Sequence, residues 1–310
     1  MRKVLIIALV AVAAIAAGWY FSRPQPEHHP FYGVTITPYP VQTQPEATAA
    51  PTETPSEMPT QAPTASPQTS PLPVPSRAGA GEGGPRLALI VDDCGQWIDT
   101  ERAFIALGVP ITMSVLPDVP YTGTIAREAS NAGMGVMLHL PMETVSGMNP
   151  GPGKVTTEMT DEQIAAQVEA DLAQVPLARG VNNHEGSKAS ADERVMRDVV
   201  GVLAKHGDLF FIDSKTSAAS VGEQLAQEGG VPTAARDVFL DNKADVDYTE
   251  GQLREAIAIA KRTGSAIAIG HPRPTTLAAV RAMLPTFQDA GVHLVLAQEL
   301  VSPAQAPDPH

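Results

Sequence analysis

Leu87-Ala88-Leu89-Ile90-Val91-Asp92-Asp93-Cys94-Gly95 is the stretch whose reading decides the fold. Five consecutive apolar residues match a strand covered on both faces, the pattern of a parallel sheet with helices outside. Two acids close the run. No Gly-rich GxGxxG turn follows, which argues against a doubly wound nucleotide-binding sheet. Downstream the alternation repeats. Apolar runs recur at Ile111–Leu116, Gly135–Leu138, Gly180–Asn182, Leu209–Ile212, Val238–Leu240, Ala266–Ile269 and Leu294–Leu296. Between most of them apolar residues return at helical spacing, as in Ile164/Val168/Leu172, Val195/Val199/Leu203 and Leu277/Val280/Leu284. Thr160 with Gln163 three residues on is a capping box. Gly133, Gly207, Gly264 and Gly291 each stop a helix shortly before a strand. Seven or eight strand–helix units in the 225 residues after Pro85 predict an α/β protein, a closed or nearly closed (β/α) barrel over residues 86–302.

Outward from this domain the composition changes. Ser22 to Pro85 holds 15 of the 29 prolines and is rich in Thr, Ser, Ala and Gln. Such a segment buries too little apolar surface to offset its chain entropy, so it reads as a disordered, semi-stiff Pro/Thr-rich linker. His28 and His29 inside it read as solvated. Before it, Arg2 and Lys3 precede 18 uncharged residues, Val4 to Phe21. That is either a signal anchor, with Trp19 and Tyr20 at its outer end, or a signal peptide cleaved near Ala14-Ile15-Ala16. Both readings export the rest of the chain. The expected place is the bacterial cell envelope, as a periplasmic domain anchored in the inner membrane or secreted to the periplasm. Residues 303–310 read as a disordered tail. One Cys excludes a disulfide framework and thiolate-rich zinc sites. A net charge of −13 argues against nucleic acid or anionic lipid as a partner.

Polar residues gather at the strand ends, where parallel β/α folds build their sites. Asp92 and Asp93 end the first run. His139 ends the third, within His139-Leu140-Pro141-Met142-Glu143, and Asn182-Asn183-His184-Glu185 ends the fourth. Asp213-Ser214-Lys215, Asp241-Asn242 and Gly270-His271-Pro272 end the fifth, sixth and seventh. A lone Asp there could cap a helix, but two adjacent acids closing a buried strand call for a partner. One Asp with His139 and His184 is a mononuclear catalytic ligand set, and these ligand types suit Zn²⁺ best. Glu143 either joins it or is a solvated loop acid. Asp213 either accepts a bond from a ligand's ring N–H or caps the next helix. His271, held extended by Pro272, is a natural general acid. Cys94 reads as a small buried residue behind the acids rather than a nucleophile. Ser187 and Ser214 lack the GxSxG elbow of a serine hydrolase.

The combination of Ile90-Val91-Asp92-Asp93-Cys94-Gly95, His139-Leu140-Pro141-Met142-Glu143, Gly180-Val181-Asn182-Asn183-His184, Phe211-Ile212-Asp213, Val238-Phe239-Leu240-Asp241-Asn242 and Ile269-Gly270-His271-Pro272 resembles the divergent polysaccharide deacetylase family. This is the YibQ-like branch of the NodB-homology deacetylases, and the resemblance runs from Arg86 to Leu300. It implies a deformed barrel of about seven parallel strands and metal-dependent removal of N- or O-acetyl groups from a glycan such as peptidoglycan. It further implies Asp92 as the base, Asp93 as a metal ligand, His139 as the motif-two ligand and His271 as the late-motif histidine. Typical members carry a second histidine where this chain has Glu143. They also carry an Arg-Pro motif in the region of Asn182-Asn183-His184, and His184 looks like the replacement ligand. Asn183, Asp213, Asp241 and Glu143 are left to support the ligands or touch substrate. Two other readings remain open. One is a non-catalytic envelope module binding glycan or a cell-wall partner. The other is a glycosidase pairing Asp92 with Asp213, which leaves the histidines without a purpose.

Overall fold

The computed structural model describes residues 83–302. The anchor or signal segment, the linker up to residue 82 and the tail from residue 303 lie outside the described residues. The described chain runs β1 Arg86–Cys94, α1 Ile98–Ile105, β2 Thr112–Val115, α2 Thr122–Asn131, β3 Gly135–Met142, α3 Asp161–Gln174 and β4 Gly180–Glu185. It continues through α4 Glu193–His206, β5 Phe210–Asp213, α5 Gly222–Glu228, β6 Thr233–Ala235, β7 Val238–Phe239, α6 Val246–Thr263, β8 Ser265–Gly270, α7 Pro274–Asp289 and β9 His293–Val295. Among the described residues no helix is long and apolar enough to cross a membrane.

All pairings between these strands are parallel. Along the sheet the order is β6-β5-β4-β3-β2-β1-β8-β7. Its two edge strands, β6 and β7, are separated only by Arg236 and Asp237. Three Cα–Cα steps span at most about 11 Å, so the two edges must meet. The sheet is therefore curled into a deformed, nearly closed barrel. β9 pairs with Arg86, Leu87 and Ala88 of β1, on the side that β2 takes from Ile90 onward. All eight expected apolar runs form strands. β6 was not expected, because Thr233-Ala234-Ala235 has no apolar run of its own and owes its extension to pairing with β5.

Pleating sorts the core into two layers. Leu87, Leu89 and Val91, with Leu138, Leu140, Phe211, Ala266 and Ala268, pack outward against the helices. Ala88 and Ile90, with Met137, Phe210, Ile212, Ala234, Ile267 and Ile269, fill the barrel interior, closed below by Ala297 and Leu300. Continuing the inner parity upward reaches Asp92, His139, Asn182, His184, Ser214 and His271. The apolar interior thus ends in a polar layer. Helix ends follow local chemistry. Thr160 and Gln163 form the capping box, and Gly207 and Gly264 end α4 and α6 in the left-handed conformation.

Candidate active site

Strict alternation would point Asp92 inward and Asp93 outward. β1 breaks its register with β2 between Val91 and Cys94, and Asp93 takes a φ of 56°. A bulge of this kind re-aims a side chain, and Asp tolerates the left-handed region better than most residues. Both carboxylates therefore reach the barrel mouth.

Three atoms from three strands converge there. Asp93 Oδ1 lies 2.9 Å from His184 Nδ1 and 3.2 Å from His139 Nε2. The two ring nitrogens are 3.1 Å apart. Asp93 and His139 are buried and His184 is partly so, and Asp93 Oδ1 has no donor in hydrogen-bonding geometry among the described residues. Burial would raise the Asp93 carboxyl, but His184 and His271 outweigh it and hold the group well below the usual carboxylate range. A buried, unpartnered carboxylate oxygen facing two imidazole nitrogens is the donor set of a divalent cation, and the residues fit one.

Asn182 fixes what each neighbour presents. Its amide Nδ2 donates to Asp92 Oδ1 at 2.9 Å and to Ser214 Oγ at 3.1 Å. Its Oδ1 accepts from Ser114 Oγ at 2.5 Å and faces His139 Nδ1 at 2.8 Å. An amide oxygen only accepts, so the His139 proton sits on Nδ1 and Nε2 turns its lone pair to the cluster. Asp92 Oδ2 lies 3.6 Å from that Nε2. Burial pushes Asp92 up, against the pull of His139 and His271, so the two adjacent acids are driven apart in acidity. His271 Nδ1 bonds Asp241 Oδ1 at 2.9 Å, leaving Nε2 toward the site, 3.8 Å from Asp93 Oδ2. Asp241 is held in turn by His271 N–H and Thr276 Oγ. Burial would lower His271, but Asp93, Asp241 and Asp92 outweigh it and push it up to about 9.

Asp92, Asp93, His139, His184, His271 and Asp241 are thus brought together. Three expected residues are not. Asp213 follows inward-facing Ile212 and so faces outward. Its oxygens accept from Lys215 N–H, Ser220 Oγ and Glu223 N–H, which makes it the cap of α5 rather than a partner of a ligand histidine. That placement also removes the Asp92–Asp213 glycosidase pair. Glu143 bonds Lys188 Nζ at 2.7 Å and both the N–H and hydroxyl of Thr157, clipping two loops together. Lys188 and Thr157 outweigh burial and hold its carboxyl at about 2. Asn183, on the outward parity, accepts from Ser214 N–H and donates to Thr216 Oγ and Glu185 O. His139 itself lies within β3 rather than at its end. Burial pushes the Cys94 thiol well up, which suits no nucleophile. Sequence reasoning named Asn182 at a strand end but gave it no role, and passed over Ser114 and Arg236. Arg236 crosses between the sheet edges, bonds the carbonyls of Ser214 and Lys215, and lies 5.0 Å over the Phe239 ring. Phe239 in turn meets His271 edge-on at 5.3 Å. Inward parity in β2 and β4 was the signal that would have found Ser114 and Asn182.

The chain is similar to known proteins in sequence and in fold. An uncharacterized protein of Haemophilus influenzae is 36% identical over 200 residues, 64% of this chain and 71% of that protein. Uncharacterized protein YibQ of Escherichia coli K12 is 35% identical over 199 residues, 64% of this chain and 62% of YibQ, less than two thirds of its length. The crystal structure of an uncharacterized protein from Agrobacterium tumefaciens C58 has the same fold, with a TM-score of 0.68 at 23% identity. The match covers 73% of this chain and 93% of that one. Residues 89–301 match the sequence model of the divergent polysaccharide deacetylases, and the chain belongs to that family.

Proposed function

We propose that the chain is a metal-dependent carbohydrate deacetylase acting on an acetylated envelope glycan, peptidoglycan or a similar polysaccharide. The observation that carries this reading is the convergence of Asp93 Oδ1, His139 Nε2 and His184 Nδ1 beside Asp92 and His271. Asp93, His139 and His184 would hold the ion. When bound, a divalent cation such as Zn²⁺ polarises an acetyl carbonyl and acidifies a water. Asp92 has Oδ1 tied to Asn182 and Oδ2 left to take a proton. Its raised pKa brings it nearer the range of a working base. His271, oriented by Asp241 with Nε2 toward the site, stands ready to give a proton to the leaving amine or alkoxide. The exported position is part of the proposal. Arg2, Lys3 and the uncharged Val4–Phe21 support a periplasmic domain, anchored in the inner membrane or secreted.

The test is metal analysis of the purified protein followed by acetate release from peptidoglycan fragments or acetylated chito-oligosaccharides. The expected result is about one divalent ion per chain and acetate release that His139→Ala abolishes. A wild-type protein without metal, or equal acetate release from His139→Ala, overturns the proposal.

A further inference from the structure

Among the described residues four large apolar side chains are exposed: Trp97 at 49%, Tyr121 at 40%, Val145 at 75% and Leu177 at 39%. Trp97, Tyr121 and Val145 lie on the loops that leave β1, β2 and β3, neighbours in the sheet, at the end where Asp93, His139 and His184 converge. Leu177 lies between α3 and β4, at the opposite end. Three neighbouring loops at the site end of the sheet thus each expose one large apolar side chain, and two of the three are aromatic.

Both aromatics stand on backbone that is firmly held. Glu101, fully buried, accepts the N–H groups of Gly95, Gln96 and Trp97 on one oxygen, at 2.8, 3.0 and 2.9 Å. Tyr121 N–H donates to the Gly95 carbonyl at 2.9 Å, tying the second loop to the first. Gly95 has a φ of +107°, and a Cβ there would lie 2.7 Å from Val119 Cγ2. Gly95 is itself only two residues beyond Asp93. Aromatic side chains on backbone held in this way offer contact area at little cost in conformational entropy.

We propose that Trp97 and Tyr121 form a stacking platform for an uncharged pyranose ring next to the acetylated sugar. The inference rests on the deacetylase reading. A pyranose presents a flat face of C–H groups that packs on an aromatic ring while its hydroxyl edge stays wet. The surroundings favour a neutral ring. Arg102, on the helix that Trp97 caps, is bound by both ends to Glu128 at 2.8 Å, and the chain's charge of −13 repels a polyanion.

The full chain carrying Trp19→Phe leaves Trp97 as its only tryptophan. It is titrated with N-acetylated chito-oligosaccharides of one to four sugars, reading Trp97 emission and acetate release. Emission should shift on binding, and the tetramer should bind about tenfold more tightly than the monomer. Tyr121→Ala, and Trp97→Ala made in the chain with Trp19 intact, should each raise KM for the tetramer about tenfold. Trp97→Phe, which keeps a ring, should recover most of that loss. Leu177→Ala should change nothing. An emission response in a chain that releases no acetate keeps the platform and rejects the deacetylase reading. Acetate release with the same KM in Trp97→Ala, Tyr121→Ala and wild type keeps the deacetylase and rejects the platform.

Discussion

Asn182 bonds the proposed base through one end of its amide and a proposed ligand through the other. Nδ2 holds Asp92 and Oδ1 holds the His139 proton. The two ends can be separated by substitution. Asn182→Ala removes both, and loss of a group that orients a ligand histidine typically costs about 10–100-fold in metal affinity. Asn182→Asp keeps an acceptor for His139 but cannot donate to Asp92. It should hold metal within a few-fold of wild type while acetate release falls at least about tenfold. Metal titration and initial rates on both variants check this. Equal affinity in Asn182→Ala and wild type would show that the amide does not set the ring. At this scale the sequence yielded the histidines and the acid pair, because charged and imidazole groups at the end of an apolar strand are conspicuous. It hid the role of Asn182, an amide inside a strand that reads like any polar residue until the parity Gly180-Asn182-His184 is followed. It left Asp213 open between a ligand's partner and a helix cap, because only the face of the pleat, opposite to that of the site residues, decides for the cap.

α3 carries an anomaly of a different kind. Its buried stripe is Ile164, Val168, Asp171 and Leu172, so an acid occupies a core position. Asp171 receives one bond, from Gln167 at 3.0 Å, and its Oδ2 has no partner among the described residues. Gly153 packs so closely that a Cβ there would fall 2.5 Å from the Asp171 carboxylate. Burial, with the charge of Asp118, pushes the group up to about 7. The folded pKa thus exceeds the unfolded value near 3.8. The folded state therefore binds more protons between about pH 4 and 7, and stability falls as pH rises through that window. Asp171→Asn removes the ionisation. It should raise stability by about 1 kcal/mol at pH 8, a shift of a few degrees in Tm, and leave it unchanged at pH 4. Thermal melts at the two pH values decide it, and equal Tm at pH 8 would rule out a buried charge on Asp171. The stripe Ile164/Val168/Leu172 was legible from helical spacing. The intruding acid was not, since one turn cannot say which of its residues a neighbouring loop covers. β6 escaped for a related reason, as Thr233-Ala234-Ala235 is a strand by virtue of its neighbours.

Across the whole molecule, the barrel brings together residues far apart in the chain. Asp93, His139 and His184 leave β1, β3 and β4, and only the parallel order β4-β3-β2-β1 puts them at one end of one sheet. The repeated strand–helix rhythm made that order foreseeable. How the barrel closes was not, because the edges meet through the short step Arg236-Asp237, which no periodicity marks. An ion held by these three residues would tie three strand ends together in the folded state and have no comparable site in the unfolded chain. Binding to the folded state alone stabilises by about 2.7 kcal/mol when free metal is a hundredfold above Kd. For a domain of this size each kcal/mol moves Tm by about 2–4 °C, so chelation should lower the wild-type melting temperature by about 5–10 °C, and added Zn²⁺ should restore it. His139→Ala and His184→Ala should melt at one temperature with or without chelator. His271→Ala should keep the difference, since its ring is tied to Asp241 and stands outside the three converging atoms. A chelator-insensitive wild type, or a chelator effect that survives in His184→Ala, would place the ion elsewhere in the chain.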